Sequence, residues 1–253
     1  MKFSIIVPSY NQESFIRDTL INITTLKEQA VKREIIVEIL LFDSESNANV
    51  QKAVNEFKDT LDYVEVKKDK GQYDAINKGM EKCTGDYWTW LNTDDLLDLD
   101  GFFKMVELLK ENPQIDYIYG GVNYIDEAGK LIKTVNVFDL NFDNLISKEP
   151  AIFQPGSFFK TSFTRPLKEL KAYRCCFDYE FVLRCLKSKA VIYACNFSVS
   201  NFRFYKQSKT GSITPLFIRE QLQISRQYGR KWYHFLTWFS YLRLFKHFLF
   251  PRK

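Results

Sequence analysis

The chain has few of the residues that bind metals through nitrogen and sulfur. Its 253 residues include two histidines, His234 and His247, and five cysteines without CxxC spacing. The odd set of Cys83, Cys175, Cys176, Cys185 and Cys195 argues against a disulfide framework, and the lack of Cys/His clusters argues against a zinc site. A reducing, cytoplasmic setting is expected. The first apolar run, Phe3 to Val7, is too short for the core of a signal peptide and stops at Pro8. No internal repeat and no low-complexity linker is present. A content of 45% hydrophobic and 16% aromatic residues supplies one substantial core and excludes a disordered chain. The formal charge of +5 and pI near 8.8 suit an anionic partner such as a nucleotide, a phosphate or an anionic membrane, without requiring one. No nucleic acid is among the expected partners.

Short β-branched runs alternate with amphipathic segments along the first hundred residues. Ser4 to Val7 reads as a strand, Glu13 to Leu26 as a helix, Ile35 to Phe42 as a strand and Val50 to Phe57 as a helix. Leu61 to Val66, Ala75 to Lys82 and Tyr87 to Leu91 continue the pattern as strand, helix and strand. This alternation predicts an α/β fold, a mostly parallel central sheet with helices on both faces. In such sheets ligands bind beyond the carboxyl ends of the strands. Asn11, Asp43, Asp69 and the pair Asp94-Asp95 all follow predicted strands, so they are expected to gather along one edge and line a cleft. Farther on, a helix is expected from Phe102 to Lys110, a strand pair around Gly129, irregular chain from Asn141 to Pro150, a strand from Phe153 to Lys160 and a helix from Asp178 to Leu186.

The blocks "SIIVPSYNQ", "FDSES", "DKGQYDAINKGMEKCTGDYWTWLNTDD", "YGG", "FQPGSFFK" and "FDYEFVLRC" occur in this order over roughly residues 3 to 212. In that order they resemble the inverting family 2 glycosyltransferases of the GT-A fold, nucleotide-sugar-dependent enzymes of bacterial polysaccharide assembly. The resemblance implies a Rossmann-like catalytic domain over residues 1–212, followed by C-terminal helices over 213–253. It also implies transfer of a hexose or N-acetylhexosamine from a nucleotide sugar to a saccharide hydroxyl.

The residue roles that follow are implied by the resemblance. Asp95 is expected to hold Mn2+ or Mg2+, a hard cation suited to carboxylate oxygens and to a diphosphate leaving group. Asp94 is expected at the ribose, with Asn92 assisting; capping of a helix beginning near Leu96 is the alternative for Asp94. Pro8, Tyr10 and Asp43 match the nucleobase positions, Tyr10 by stacking and Asp43 as an acceptor favouring uridine. Asp43 is followed by Ser44-Glu45-Ser46-Asn47 where the family carries a glycine-rich turn, and an ordinary turn role is its alternative. Asp69, Asp74, Asn77 and Lys78 match donor-side positions, and Lys78 is equally readable as a solvated helix charge. Asp178 matches the general base, with helix capping as its other role, and here Phe177 stands where the family often has Glu. Gln154 matches a residue facing sugar or acceptor, or packs at the core edge; Phe153 replaces a frequent His before it. Arg203 and Lys206, with Ser208, match a late loop over the diphosphate.

Beyond Pro215 the chain has one acidic residue, Glu220, among many arginines, lysines and aromatic residues. The uncharged stretch Trp232 to Leu242 is shorter than the ~20 residues that span a bilayer. An interfacial helix fits residues 216–253, placing the protein peripherally at the inner face of the cell membrane near a lipid-linked acceptor. Packing against protein is the alternative. Two other functions stay open at this level: a sugar nucleotidyltransferase, although "VPSYNQES" lacks a glycine-rich phosphate loop, and a non-catalytic binding protein on the same scaffold.

Overall fold

A computed structural model of the protein describes residues 1–137, 140–147, 152, 154–205 and 215–249. The first half runs β1 (Lys2–Ser9), α1 (Ile16–Val31), β2 (Ile36–Asp43), α2 (Ala48–Glu56), β3 (Tyr63–Val66), α3 (Gln72–Lys82) and β4 (Tyr87–Trp90). There follow β5 (Leu96–Leu97), α4 (Leu99–Glu111), β6 (Tyr117–Ile125), β7 (Leu131–Val135) and α5 (Phe142–Ser147). The last elements are β8 (Ser157–Lys160), α6 (Thr161–Thr164), α7 (Phe177–Lys187), β9 (Ile192–Arg203), α8 (Pro215–Gln227) and α9 (Phe235–Leu249). The strands form one sheet in the order β3-β2-β1-β4-β8-β6-β9-β5, with β7 on β6.

The β3-β2-β1-β4 half is parallel throughout, and β6 and β9 are also parallel, while β8, β5 and β7 pair antiparallel. Central parallel strands are buried on both faces, which is why β1 and β2 read as continuous apolar runs. Alternate residues of β1 serve opposite layers. Phe3, Ile5 and Val7 join a core with Ile16, Leu20 and Ile23 of α1, whereas Ile6 joins the layer under α3 and α7. Pro8 is tolerated because of where the ladder ends. The Ile6 carbonyl accepts from Leu91 N–H at 2.9 Å on the β4 side, and Pro8, two residues on, faces that side after pairing with β4 has stopped.

The second layer is aromatic. Trp88 and Trp90 stack at 5.8 Å, Phe159 lies 5.9 Å from Trp90 with the rings nearly parallel, and Tyr117 stacks on Phe159 at 4.7 Å. The polar tips are satisfied, Trp88 Nε1 by Thr164 Oγ1 at 2.8 Å and Tyr117 Oη by Ser157 Oγ at 3.0 Å. The end of β4 therefore rests on a rigid floor.

Several expectations change. The segment expected to be irregular from Asn141 contains α5. The strand expected from Phe153 begins at Ser157, after a 3-10 turn over Gln154–Gly156; Phe153 itself lies outside the described residues. No helix begins at Leu96: Leu96 and Leu97 form β5, and Asp98 caps α4 by accepting from Gly101 N–H at 2.8 Å. The twelve-residue β9 was not expected. It lies so close to α4 that a Cβ on Gly101 would come 1.9 Å from the Ser198 carbonyl oxygen. The C-terminal region also packs into the main body. Ile224 of α8 is fully buried in the cluster containing Phe177 and Phe181.

Candidate active site

The ends of β1, β2 and β4 converge, as the strand alternation predicts. Tyr10, just past β1, is 68% exposed. Asn11 adopts a left-handed conformation (φ 50°), and its side-chain oxygen accepts from Asn47 N–H at 3.0 Å. Asp43, at the end of β2, is buried and fully engaged. Its oxygens accept from Ser9 Oγ at 2.7 Å, Ser46 N–H at 2.8 Å, Ser46 Oγ at 2.6 Å and the Gln51 amide. These four bonds match the roughly four acceptor positions of a carboxylate. Asp43 builds the loop that follows β2, in the absence of the glycine-rich turn.

After β4 the two acidic residues separate. Asp95 is 0% exposed. One of its carboxylate oxygens accepts from Arg203 N–H at 3.1 Å and the other from Asn92 Nδ2 at 3.0 Å. Burial first, then the neighbouring Asp94, pushes its pKa well above the usual carboxylate range. Asp94 is the partly exposed member of the pair, and its Oδ2 accepts from Tyr205 Oη at 2.9 Å. Desolvation pushes the Tyr205 phenol up to about 12, so it remains a donor, and Gln12 Nε2 supports it at 2.9 Å. Asp95 is thus the buried and Asp94 the partly exposed carboxylate of the pair.

Asn92 sits between these groups. Its amide oxygen accepts from Gln72 Nε2 and its amide nitrogen reaches Gln154 Oε1 at 3.5 Å, while Gln154 Nε2 donates to the Trp90 carbonyl at 2.7 Å. Gln154 is buried, a floor residue of the site. Asp69 and Asp74 organise the turn into α3: Asp69 Oδ1 accepts from Gly71 N–H at 2.9 Å and Asp74 Oδ2 from Lys70 N–H at 3.1 Å. Gly71 permits that turn with φ 127°.

Asn77, Lys78 and Arg203 each have partners within the protein. Asn77 is buried and exchanges two hydrogen bonds with the Leu170 backbone, at 2.9 and 2.7 Å. Lys78 pairs with Glu65 at 2.9 Å, on the β3 side of α3. Arg203 is 1% exposed. Its guanidinium donates to the carbonyls of Asp94, Asp126 and Glu127, pairs with Asp18 at 3.2 Å and stacks over Phe15. Arg203 thereby ties the loops after β4 and β6 to α1. Lys206 and Ser208 lie outside the described residues.

Asp178 occupies the first turn of α7, where its Oδ1 accepts from Tyr179 N–H at 2.7 Å. It is not the N-cap residue, which is Cys176. Desolvation is the main cause that raises its pKa to about 6, aided by Glu220 and opposed by hydrogen bonds. The Phe177 ring lies 6.0 Å from Trp90, which sets the start of α7 against the end of β4. Tyr205, Gln12 and Gln72 were not singled out in the sequence. Their polar side chains beside chosen motifs were the available signal, but the Tyr205 contact joins residues 111 positions apart.

A layered α/β sheet whose parallel strands end at paired carboxylates is the GT-A arrangement. The Glycosyl transferase family 2 profile matches residues 4–181, more than half of the chain, so the protein belongs to that family. The poly-beta-1,6-N-acetyl-D-glucosamine synthase of Staphylococcus aureus (strain COL) is 29% identical over 113 residues, 44% of this chain and 26% of that relative. The enzyme of the same name from Staphylococcus epidermidis is 29% identical over 119 residues, 46% of this chain and 27% of the relative. The matches thus span about a quarter of these curated relatives. Among solved structures, S. aureus TarS 1-349 in complex with UDP-GlcNAc matches with a TM-score of 0.64 and 17% identity, over 100% of this chain and 74% of that one. The mannosyltransferase PcManGT from Pyrobaculum calidifontis, in complex with GDP-Man and Mn2+, matches with a TM-score of 0.66 and 18% identity, over 90% and 64% of the two chains. At these identities the structural matches establish the fold.

Proposed function

We propose that this family 2 protein transfers a hexosyl or N-acetylhexosaminyl group from a nucleotide sugar, a uridine diphosphate sugar, to a saccharide hydroxyl with inversion. The observation that supports this reading is two carboxylates in different environments, one following β4 and one in the first turn of α7. Asp94 is partly exposed at the end of β4, and Asp178, its proton affinity raised, leads α7 against the same strand. Asp178 accepts the proton of the acceptor hydroxyl as that oxygen attacks the anomeric carbon and the bond to the diphosphate breaks. A single base opposite the leaving group gives inversion. The exposed ring of Tyr10 is available to stack on the base. The names of the N-acetylglucosamine synthases support the N-acetylhexosaminyl reading, and the UDP-GlcNAc complex of TarS supports uridine.

A divalent cation fits this donor set. Among the described residues no three His, Cys, Asp or Glu side chains form a metal cage. Magnesium and manganese are, however, commonly held by one or two carboxylates together with substrate phosphates. Asp94 would supply that carboxylate, with Asn92 and Asp95 behind it. When bound, the cation would offset the charge developing on the diphosphate. Incubation with a panel of nucleotide sugars, with and without Mn2+, tests the reading: slow release of nucleoside diphosphate is expected. Pyrophosphate exchange would favour a nucleotidyltransferase, and no turnover a binding protein.

The acceptor in this reading is a lipid-linked glycan, and residues 216–253 hold the protein against anionic lipid. On α9, Phe235, Trp238, Phe239, Leu242 and Phe245 recur at helical spacing and are 48–68% exposed, while Leu236, Thr237 and Ser240 face inward. No acidic residue follows Glu220, and Lys231, Arg243 and Lys246 flank the aromatic stripe. The fifteen residues of α9 are about 22 Å long, short of the ~30 Å hydrocarbon core. No described helix is long and apolar enough to cross a membrane. Replacing Trp238, Phe239, Leu242 and Phe245 together by serine is expected to abolish sedimentation with vesicles rich in phosphatidylserine or phosphatidylglycerol. Undiminished sedimentation would rule out this surface.

A further inference from the structure

Glu220 is the single acidic residue from Pro215 to Lys253, and it faces inward, 8% exposed. Its carboxylate meets the chain leading into α7. Oε1 accepts from Arg174 N–H at 2.8 Å, and Oε2 accepts from Cys175 N–H at 2.8 Å and Cys176 N–H at 3.0 Å. Three consecutive backbone donors thus converge on one charged acceptor, a set of bonds roughly twice as strong as neutral ones. They end two residues before Asp178. A second contact from the same region holds the next turn: Tyr228 Oη donates to Glu180 Oε1 at 2.6 Å.

We propose that Glu220 is a positioning residue for glycosyl transfer: by fixing the amides of residues 174–176, it sets the direction in which Asp178 leaves the first turn of α7. The inference rests on Asp178 acting as the base. A buried carboxylate on a separate helix is not required for α7 to form, since the helix already has Asp178 and Glu180 in its first turn. It is required to immobilise the loop that aims the helix. An error of about 1 Å in a reacting group costs on the order of a hundredfold in rate.

Among the described residues, Glu220 from α8, Tyr117 from β6 and Cys176 from the adjoining loop act electrostatically on Asp178. Burial holds the Tyr117 phenol and the Cys176 thiol protonated, which leaves Glu220 as the charge among them. The test is the pH profile of kcat in Glu220→Gln and Glu220→Asp, alongside Leu222→Ala as a variant that loosens α8 without touching the loop. Glu220→Gln is expected to lower kcat about ten- to a hundredfold, with KM for the donor within about twofold, and to shift the acidic limb to lower pH. Glu220→Asp keeps the charge and is expected to lower kcat less, with the limb in place. Leu222→Ala is expected to lower Tm with kcat and limb unchanged. A folded Glu220→Gln protein with wild-type kcat and an unmoved limb overturns the proposal. Turnover surviving in Asp178→Asn overturns instead the base assignment on which it rests. Hydrogen exchange in the unaltered protein needs no variant: the amides of Arg174, Cys175 and Cys176 are expected to be as protected as those of α7, and free exchange overturns the proposal.

Discussion

Asp178→Asn is expected to lower glycosyl transfer about 10³-fold while leaving donor affinity, measured by calorimetry, within about twofold. Asparagine keeps an oxygen for the Tyr179 amide but takes no proton, so it removes the base with little change to the first turn of α7. In the unaltered protein the carboxyl pKa of about 6 places the acidic limb of the rate profile. Activity is expected to rise tenfold per pH unit below that value and to level off above it, because only the ionised form accepts a proton. The same shift has a consequence for stability. A carboxyl whose folded pKa exceeds its unfolded value stabilises the fold in its protonated form, fully below the unfolded pKa near 4. That contribution is lost as pH rises through about 6. Asp178→Asn does not titrate, so its Tm should equal that of the unaltered protein near pH 4 and exceed it at pH 8. The expected advantage is on the order of 2 kcal/mol, since partial exposure screens part of the shift. Full turnover by the variant, or a limb unmoved from ordinary carboxylate values, would refute the assignment.

Asp94→Ala is expected to lower kcat/KM about 10³-fold and to remove the Mn2+ dependence of donor binding. Asp95→Ala is expected to fail differently. It leaves Arg203 N–H and the Asn92 amide without their buried acceptor, a loss of about 1–3 kcal/mol that appears first as a lower Tm. Titrating each variant with UDP-sugar, with and without Mn2+, and melting both separates the two residues. Metal-dependent donor binding that persists in Asp94→Ala, and disappears in a well-folded Asp95→Ala, would restore the assignment to Asp95.

The difference between these two aspartates marks the limit of what the sequence discloses. The strand-helix alternation through β4 is legible because parallel central strands must be apolar on both faces, and that alone locates the acidic pair at the cleft. Which carboxylate faces solvent depends on β5 pairing with β9, Leu96 opposite Asn201, a contact between distant segments. β9 itself carries no clean alternation. Ser198 and Asn201 face Asn123 of β6 through side-chain hydrogen bonds of 3.0 Å, so polar residues occupy positions where a pattern search expects apolar ones. Arg203 has the composition of a phosphate ligand and the surroundings of a buried strut, because three carbonyls from two loops and one aromatic ring converge on it. Asn77 matches a donor-side position, and its amide also meets the Leu170 backbone at both ends, a contact 93 positions away in the sequence.

The attachment of α8 to α7 also bears on how the molecule can be trimmed for biochemistry. Ending the polypeptide at residue 212 would strip the apolar cover from Phe177 and Phe181 and leave three amides before Asp178 without an acceptor. Polar substitutions confined to the exposed Phe235, Trp238, Phe239 and Leu242 of α9 retain those partners and the inward face of α9 that covers α8. Handling problems caused by the aromatic stripe can therefore be relieved without disturbing the machinery beside the sheet.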